Sequence, residues 1–432
     1  MIVERLTVEQ FRGFQSRTSI DIKAQWTIIV GENGVGKTSV LWALRVLLSH
    51  FLSKFTRSKA KALRFTSDDI TRRWPYLRAE ATVWMPGDRD SRARCTAQKN
   101  ASSFIKSEEI DGRPREHAVD TPDKYEVEIE QLTSSSLATP TAPLAVYYSA
   151  HRSLAREVKT RRARAIGGVR AAYVEALDDR DLSLVEAAEF WRNESVLEET
   201  DGRPARANQA IERALPVFLG EFRNIRIEGS EKQRLVIDKW GTTLDLSQLS
   251  AGERGMLAVL IDLTRRLAIA NPGLEDPAQS GQAVVLIDEL DLHMHPRWQR
   301  TIVSKLAATF PKCQFIATTH SPQIISEVQP DSLLLLREEE GNIQPQRCGQ
   351  AYGLDANYVL EHIMGTAPRA EPATDAIHAV EDALESGDIE KARSRLNLLR
   401  TLLHGDDPVV VGLEATINNL ETLADATDSE EN

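Results

Sequence analysis

The residues with the most chemistry to offer form the run Gly31-Glu32-Asn33-Gly34-Val35-Gly36-Lys37-Thr38. Its spacing is that of a phosphate-binding P-loop, and it lies between the apolar run Trp26 to Val30 and an apolar stretch from Ser39 to about Phe51. Gly31, Gly34 and Gly36 allow the chain to wrap so that backbone N–H groups and a helix N-terminus face phosphate oxygens. Lys37 would neutralise the β and γ oxygens, the Thr38 hydroxyl would ligate Mg²⁺, and Asn33 and Ser39 complete the expected nucleotide-binding set. The implied cofactors are ATP and Mg²⁺. Downstream, Ala283-Val284-Val285-Leu286-Ile287 ends in Asp288-Glu289, as expected of a strand covered on both faces that delivers carboxylates to the C-terminal edge of a sheet. In this Walker B reading Asp288 holds the Mg²⁺ shell and Glu289 orients and deprotonates the attacking water. A third strand, Gln314 to Thr318, carries His320 at its tip, placed to sense the γ-phosphate.

Leu249-Ser250-Ala251-Gly252-Glu253 admits two compatible readings. Ser250-x-x-Glu253 ahead of an apolar stretch is a helix capping box, and it is also the pattern of an ABC signature, whose capped N-terminus and dipole would point at another protomer's γ-phosphate. The order P-loop, signature, Walker B, switch histidine separates the P-loop classes and is ABC-like. In such a fold a signature helix does not reach its own P-loop, so catalysis calls for a head-to-tail homodimer with nucleotide at the interface, to which Ser250 and Gly252 contribute.

Those motifs must be positioned, and the chain is long enough to do it. Its 432 residues, 41% hydrophobic, can bury a large core. The expected fold class is α/β: an ABC-type P-loop ATPase with a mixed central sheet, an antiparallel β subdomain, an inserted helical subdomain and a C-terminal helical appendage. Composition shifts suggest an N-terminal lobe over 1–152, a charged helical insertion over 153–221 and a second lobe over 222–345. An amphipathic appendage over 346–424 and a disordered acidic tail over 425–432 would follow. The formal charge of −11 excludes a surface that is basic all round. Nothing approaches the roughly 18 apolar residues of a membrane span, and the three scattered cysteines fit neither a disulfide framework nor a zinc site, so the chain reads as cytoplasmic with no membrane partner.

With these residues in view, the chain resembles the ABC-like ATPases related to RecF, Rad50 and the OLD group, including the PtuA ATPases of Septu anti-phage systems. The resemblance is carried by Phe11-Arg12-Gly13-Phe14, the P-loop, Tyr147-Tyr148 with Arg152, the signature, and Thr318-Thr319-His320-Ser321-Pro322. Its most specific part is Asp288 to Pro296, with a His293-x-His295-Pro296 form of the loop after Walker B, followed by Trp298-Gln299. The resemblance implies that Arg12 touches nucleotide phosphates, that the dimer builds a higher homo-oligomer, and that an HNH nuclease of the PtuB kind is a partner. OLD-like nucleases add a metal-dependent domain with an Asp-x-Asp pair, and no such pair follows His320 here, so any cutting would fall to the partner. No Q-loop glutamine is legible.

Against the acidic background, Arg152, Arg156, Lys159, Arg161, Arg162, Arg164 and Arg170 lie close together with only Glu157 opposing them. Two readings stand: a DNA phosphate contact, centred on Arg156 to Arg164, or a solvated helix face. The function expected is an ATPase that regulates a partner nuclease in anti-phage defence. The alternative is a RecF- or Rad50-like repair or recombination ATPase that binds DNA directly.

Overall fold

The computed structural model describes residues 1–23, 25–56, 62–85, 91–101, 104–110, 113–119, 122–130, 142–150, 168–180, 182, 190–191, 206–229, 234–404 and 407–430. The basic residues from Arg152 to Arg164 lie outside the described residues, as does most of the insertion read over 153–221. The chain divides into two compact units, Met1–Ala356 and Asn357–Asn432.

Continuous apolar runs build the central sheet of the first unit. Strands β3 (Trp26–Val30), β13 (Val284–Ile287) and β14 (Gln314–Thr318) are buried at every position, which is what a strand covered on both faces requires. With β9 (Ala145–Tyr148), β15 (Leu333–Glu339) and β16 (Asn342–Arg347) they form six strands in the order β16-β15-β3-β14-β13-β9. All neighbours run parallel except β16, which pairs antiparallel with β15 and makes the sheet mixed. Trp26 and Phe315 stack at 4.5 Å between ring centroids, fixing β3 beside β14.

Alternation of buried with half-buried or exposed positions instead marks β1 (Ile2–Glu9), β4 (Tyr76–Met85) and β5 (Ser91–Asn100). Joined by β2 (Thr18–Asp21) and β8 (Lys124–Glu130), they form the antiparallel sheet β2-β1-β4-β5-β8. Its buried residues share one core with the P-loop helix α1 (Lys37–Thr56), including Leu6, Ala79, Val83, Leu44 and Leu48. Strands β6 (Phe104–Ile110) and β7 (Arg113–Val119) pair as a hairpin. Strands β10 (Phe222–Glu228), β11 (Arg234–Lys239) and β12 (Thr242–Asp245) make a third antiparallel sheet ahead of helix α3 (Ala251–Ala270). Of the insertion, the structure describes a 3-10 helix over Val169–Tyr173 and an α-helix, α2 (Arg206–Phe218).

The second unit contains α4 (Glu371–Glu385), α5 (Ile389–Leu403) and α6 (Pro408–Glu430), closed over Ile377, Val380, Leu396, Leu399, Val410 and Ile417. Helix α6 runs on to Glu430, over much of the acidic end that composition marks as disordered. Among the described residues no helix is long and apolar enough to cross a membrane.

One buried side chain stitches the central sheet to the five-stranded antiparallel sheet. Gln314, 1% exposed at the start of β14, accepts the Val3 N–H at 2.8 Å and donates to the carbonyls of Val3 and Lys23, each at 2.8 Å. A strand start rich in polar atoms is thereby satisfied without water. Gln314→Met should leave three backbone groups without that partner and lower stability by about 2–4 kcal/mol; a urea titration of the parent and the variant checks this.

Candidate active site

Three parallel strands end side by side, and their C-terminal tips carry the reactive groups. After β3 the chain turns through Gly31, Gly34 and Gly36 with φ of 153°, 83° and 90°, the region open to glycine and rarely to other residues. At Gly31 a Cβ would sit 2.5 Å from the Leu336 carbonyl oxygen, so a side chain there would drive the loop off β15. The loop feeds α1, whose first residues are Lys37, Thr38 and Ser39. Buried Lys37 donates from Nζ to the carbonyls of Gly31 at 2.8 Å and Glu32 at 2.7 Å. Burial lowers its pKa, opposed by the charges of Asp288, Glu289 and Asp291 nearby. Asn33 lies exposed at the tip of the turn.

Asp288 follows β13 and faces the start of α1: the Thr38 hydroxyl donates to its Oδ2 at 3.0 Å. From the other side Thr318, the last residue of β14, donates to Asp288 Oδ1 at 2.5 Å. The same Thr318 oxygen accepts the Glu289 N–H at 2.8 Å. Glu289 itself has φ of 48°, a strained conformation for a non-glycine residue that costs on the order of 1–3 kcal/mol. This bend turns the chain sharply out of β13, immediately after Asp288. Asp291 then accepts from the Thr319 hydroxyl at 2.5 Å and from the His320 N–H at 3.2 Å, and Gln299 donates to the Met294 carbonyl while accepting from Ser321. The tip of β14 and the loop after Walker B are therefore one hydrogen-bonded body.

Arg12 reaches this region from the turn Phe11-Arg12-Gly13-Phe14, where Phe11 and Phe14 exchange backbone hydrogen bonds at 2.9 and 2.8 Å and are both buried. With φ of 50° its guanidinium bonds Ser39 Oγ at 3.1 Å and pairs with buried Asp69 at 2.9 Å. Ser250 and Gly252 belong to a second cluster. Ser250 and Glu253 form the full capping box of α3, and Lys239 pairs with the second oxygen of Glu253. Gly252 lies against the loop after Walker B, where a Cβ would fall 2.4 Å from the His293 carbonyl oxygen. The capping box that the sequence predicts is therefore formed, at the residues read as a signature.

The structure therefore gathers Lys37, Thr38, Asp288, Glu289 and His320 at one sheet edge, sets Arg12 beside Ser39, and holds Gly252 against His293 with Ser250 capping the same helix. Thr318 and Asp291 were not singled out from sequence, although two hydroxyls directly before a strand-end histidine were a usable signal. The donor set suits a nucleotide with Mg²⁺: a hydroxyl and a carboxylate supply hard oxygens, and an ammonium sits beside a glycine turn.

The sequence matches the model of the RecF/RecN/SMC N terminal domain over residues 2–344. The chain belongs to that family. It is similar to the retron Vc95 probable ATPase of Vibrio cholerae serotype O1 biovar El Tor, 38% identical over 31% of this chain and 26% of that protein. It is also similar to the Septu protein PtuA of Bacillus thuringiensis, 31% identical over 30% of this chain and 35% of that protein. The matches thus span about a third or less of these relatives' length. Among solved structures, the SMC head domain from Thermotoga maritima aligns with 81% of this chain and 100% of its own at 13% identity and a TM-score of 0.44.

His320 provides a pH readout of this geometry. Burial and then the Lys37 charge lower its pKa below the ordinary imidazole value of about 6.5. The unfolded chain therefore takes up this proton first, and stability falls as pH drops below that value. His320→Gln should flatten this part of the stability–pH curve, as measured by thermal melting between pH 7.5 and 5.

Proposed function

We propose that this chain is an ATPase that binds and hydrolyses ATP with Mg²⁺ between two head-to-tail copies, and that its nucleotide state controls a partner nuclease in anti-phage defence. The observation that supports this best is the contact of Thr38, at the start of α1, with Asp288, at the end of β13, with buried Lys37 on the same helix. Gly31, Gly34, Gly36 and Asn33 would bring backbone N–H groups to the phosphates, and Lys37 would trade its carbonyl partners for phosphate oxygens. Thr38 and Asp288 would hold Mg²⁺, which when bound shields phosphate charge and helps stabilise the transferring group. Glu289 would accept the proton of the attacking water, His320 would contact the γ-phosphate side, and Arg12 and Ser39 would add phosphate contacts. Ser250 and Gly252 of a second copy would complete each site.

Similarity to a retron probable ATPase and to Septu PtuA supports the defence role. The remainder of the reading, that an HNH nuclease of the PtuB kind is the partner and that this chain has no nuclease site of its own, is tested by copurifying the tagged protein with its genomic neighbour. Recovery of the chain alone, with tight binding to gapped or ended DNA, would favour a recombination ATPase instead.

Glu289→Gln should keep ATP affinity within about twofold while cutting turnover at least about 100-fold, since only the base is lost. Steady-state hydrolysis at the parental rate would refute the assignment of Glu289. The shared site makes a further demand: Lys37→Ala and Ser250→Arg chains, each inactive alone, should recover activity when mixed and allowed to exchange. Mixed dimers confirmed by mass spectrometry yet inactive would sink the head-to-tail arrangement.

A further inference from the structure

We infer that Tyr148, Asp262 and Arg266 form a positioning relay that sets the Walker B carboxylates by the place of the signature helix. The inference rests on the ATPase reading and deepens it. Strand β9 ends at Tyr148, whose carbonyl accepts the Asp288 N–H at 2.9 Å, so the backbone at the head of the acidic pair hangs on this tyrosine. Its ring is 1% exposed, and its hydroxyl donates to Asp262 Oδ2 at 3.2 Å, in the middle of α3. Burial raises the Tyr148 pKa well above its ordinary value, so the hydroxyl keeps its proton and remains the donor.

Asp262 also receives Arg266 Nε at 2.7 Å, Arg265 Nη2 at 2.8 Å and Arg180 Nη2 at 3.2 Å. Burial alone would raise its pKa, but the charges of Arg266, Arg265 and Arg180 more than reverse this and keep it ionised. Arg266, 1% exposed, donates from Nη1 to the carbonyls of Ala172 at 2.6 Å and Val174 at 3.1 Å. The P-loop helix joins the same segment: Arg45 donates to the Leu177 carbonyl at 2.8 Å, with its guanidinium 3.9 Å from the Tyr147 ring centroid, and Tyr147 N–H bonds the Ala176 carbonyl at 2.7 Å.

Helices α1 and α3, and strand β9 that pairs with β13, are thus tied to one short stretch, residues 172–177, through buried and largely charged hydrogen bonds. Breaking any of these bonds strands a charge or a polar group out of water, so the elements should move together rather than part. A leucine and a methionine could fill this space without ions, and apolar replacement of buried ion pairs is often neutral for stability. What the ionic version adds is a fixed geometry between α3 and Asp288. A second copy's phosphate drawing on the α3 N-terminus would shift α3, and the shift would pass through Asp262 and Tyr148 to the backbone that presents Glu289.

The test uses the full chain with ATP. Tyr148→Phe removes one hydroxyl and keeps the ring. Arg180→Gln leaves Arg265 and Arg266 on Asp262 and serves should the first variant fold poorly. Expected for Tyr148→Phe is ATP affinity within twofold of the parent, unchanged KM, and kcat lower by about tenfold, the size of one hydrogen bond to a charged group. The ATP-dependent slowing of amide exchange over residues 251–260 should disappear with it, and Arg180→Gln should move the same two readouts by a smaller factor. Parental kcat and exchange in both variants would overturn the relay. So would joint loss of affinity, turnover and melting temperature, which is the mark of a merely structural role. If the parent itself does not bind ATP, the ATPase reading fails first, and the relay falls with it.

Discussion

Everything at this sheet edge depends on Asp288 being held from two sides. Thr38 reaches it from the start of a helix and Thr318 from the end of the neighbouring strand, at 3.0 and 2.5 Å. Two hydroxyl donors meet on one buried carboxylate and occupy both of its oxygens. They also set the distance between β13, β14 and α1 more closely than apolar packing would. The strained backbone of Glu289 can persist because its N–H is fixed by the same Thr318 oxygen.

The central sheet explains why such a contact can be accurate. Its strands β3, β13 and β14 are buried over their full length, so burial fixes the register and the polar residues at and beyond their C-terminal ends land in a row. Gln314 does at the opposite ends of the strands what Thr318 does at the tips, satisfying polar backbone where two sheets meet.

Much of this was legible in the sequence because it is local. Glycine spacing, an unbroken apolar run ending in two acids, and a serine three residues ahead of a glutamate each encode their own geometry within a few positions. The roles of Arg45 and Arg266 were not legible, because the carbonyls they bind, those of Leu177, Ala172 and Val174, are remote in sequence. An arginine on a helical face reads as a solvent-facing residue until the carbonyls and carboxylate that neutralise it are known. The insertion illustrates another limit: its charged composition suggested helix, and the described stretch Val169–Tyr173 is a short 3-10 helix next to which Arg266 binds the carbonyls of Ala172 and Val174, a pairing that composition does not reveal. The second unit was readable for the opposite reason, since its helices close over one apolar cluster and α5 is capped by its own neighbour Asp388.

The contact of Gly252 with the His293 carbonyl has a consequence for how this protein can vary. No side chain fits at position 252 unless the backbone at 293 withdraws, and His293 already has φ of 58°. A single substitution at either place therefore meets steric resistance that a second, compensating change could relieve. Related chains should show these two positions drifting as a pair, so that a joint statistical signal between them would reflect contact inside one molecule, and would be misread if taken as a trace of the interface between two.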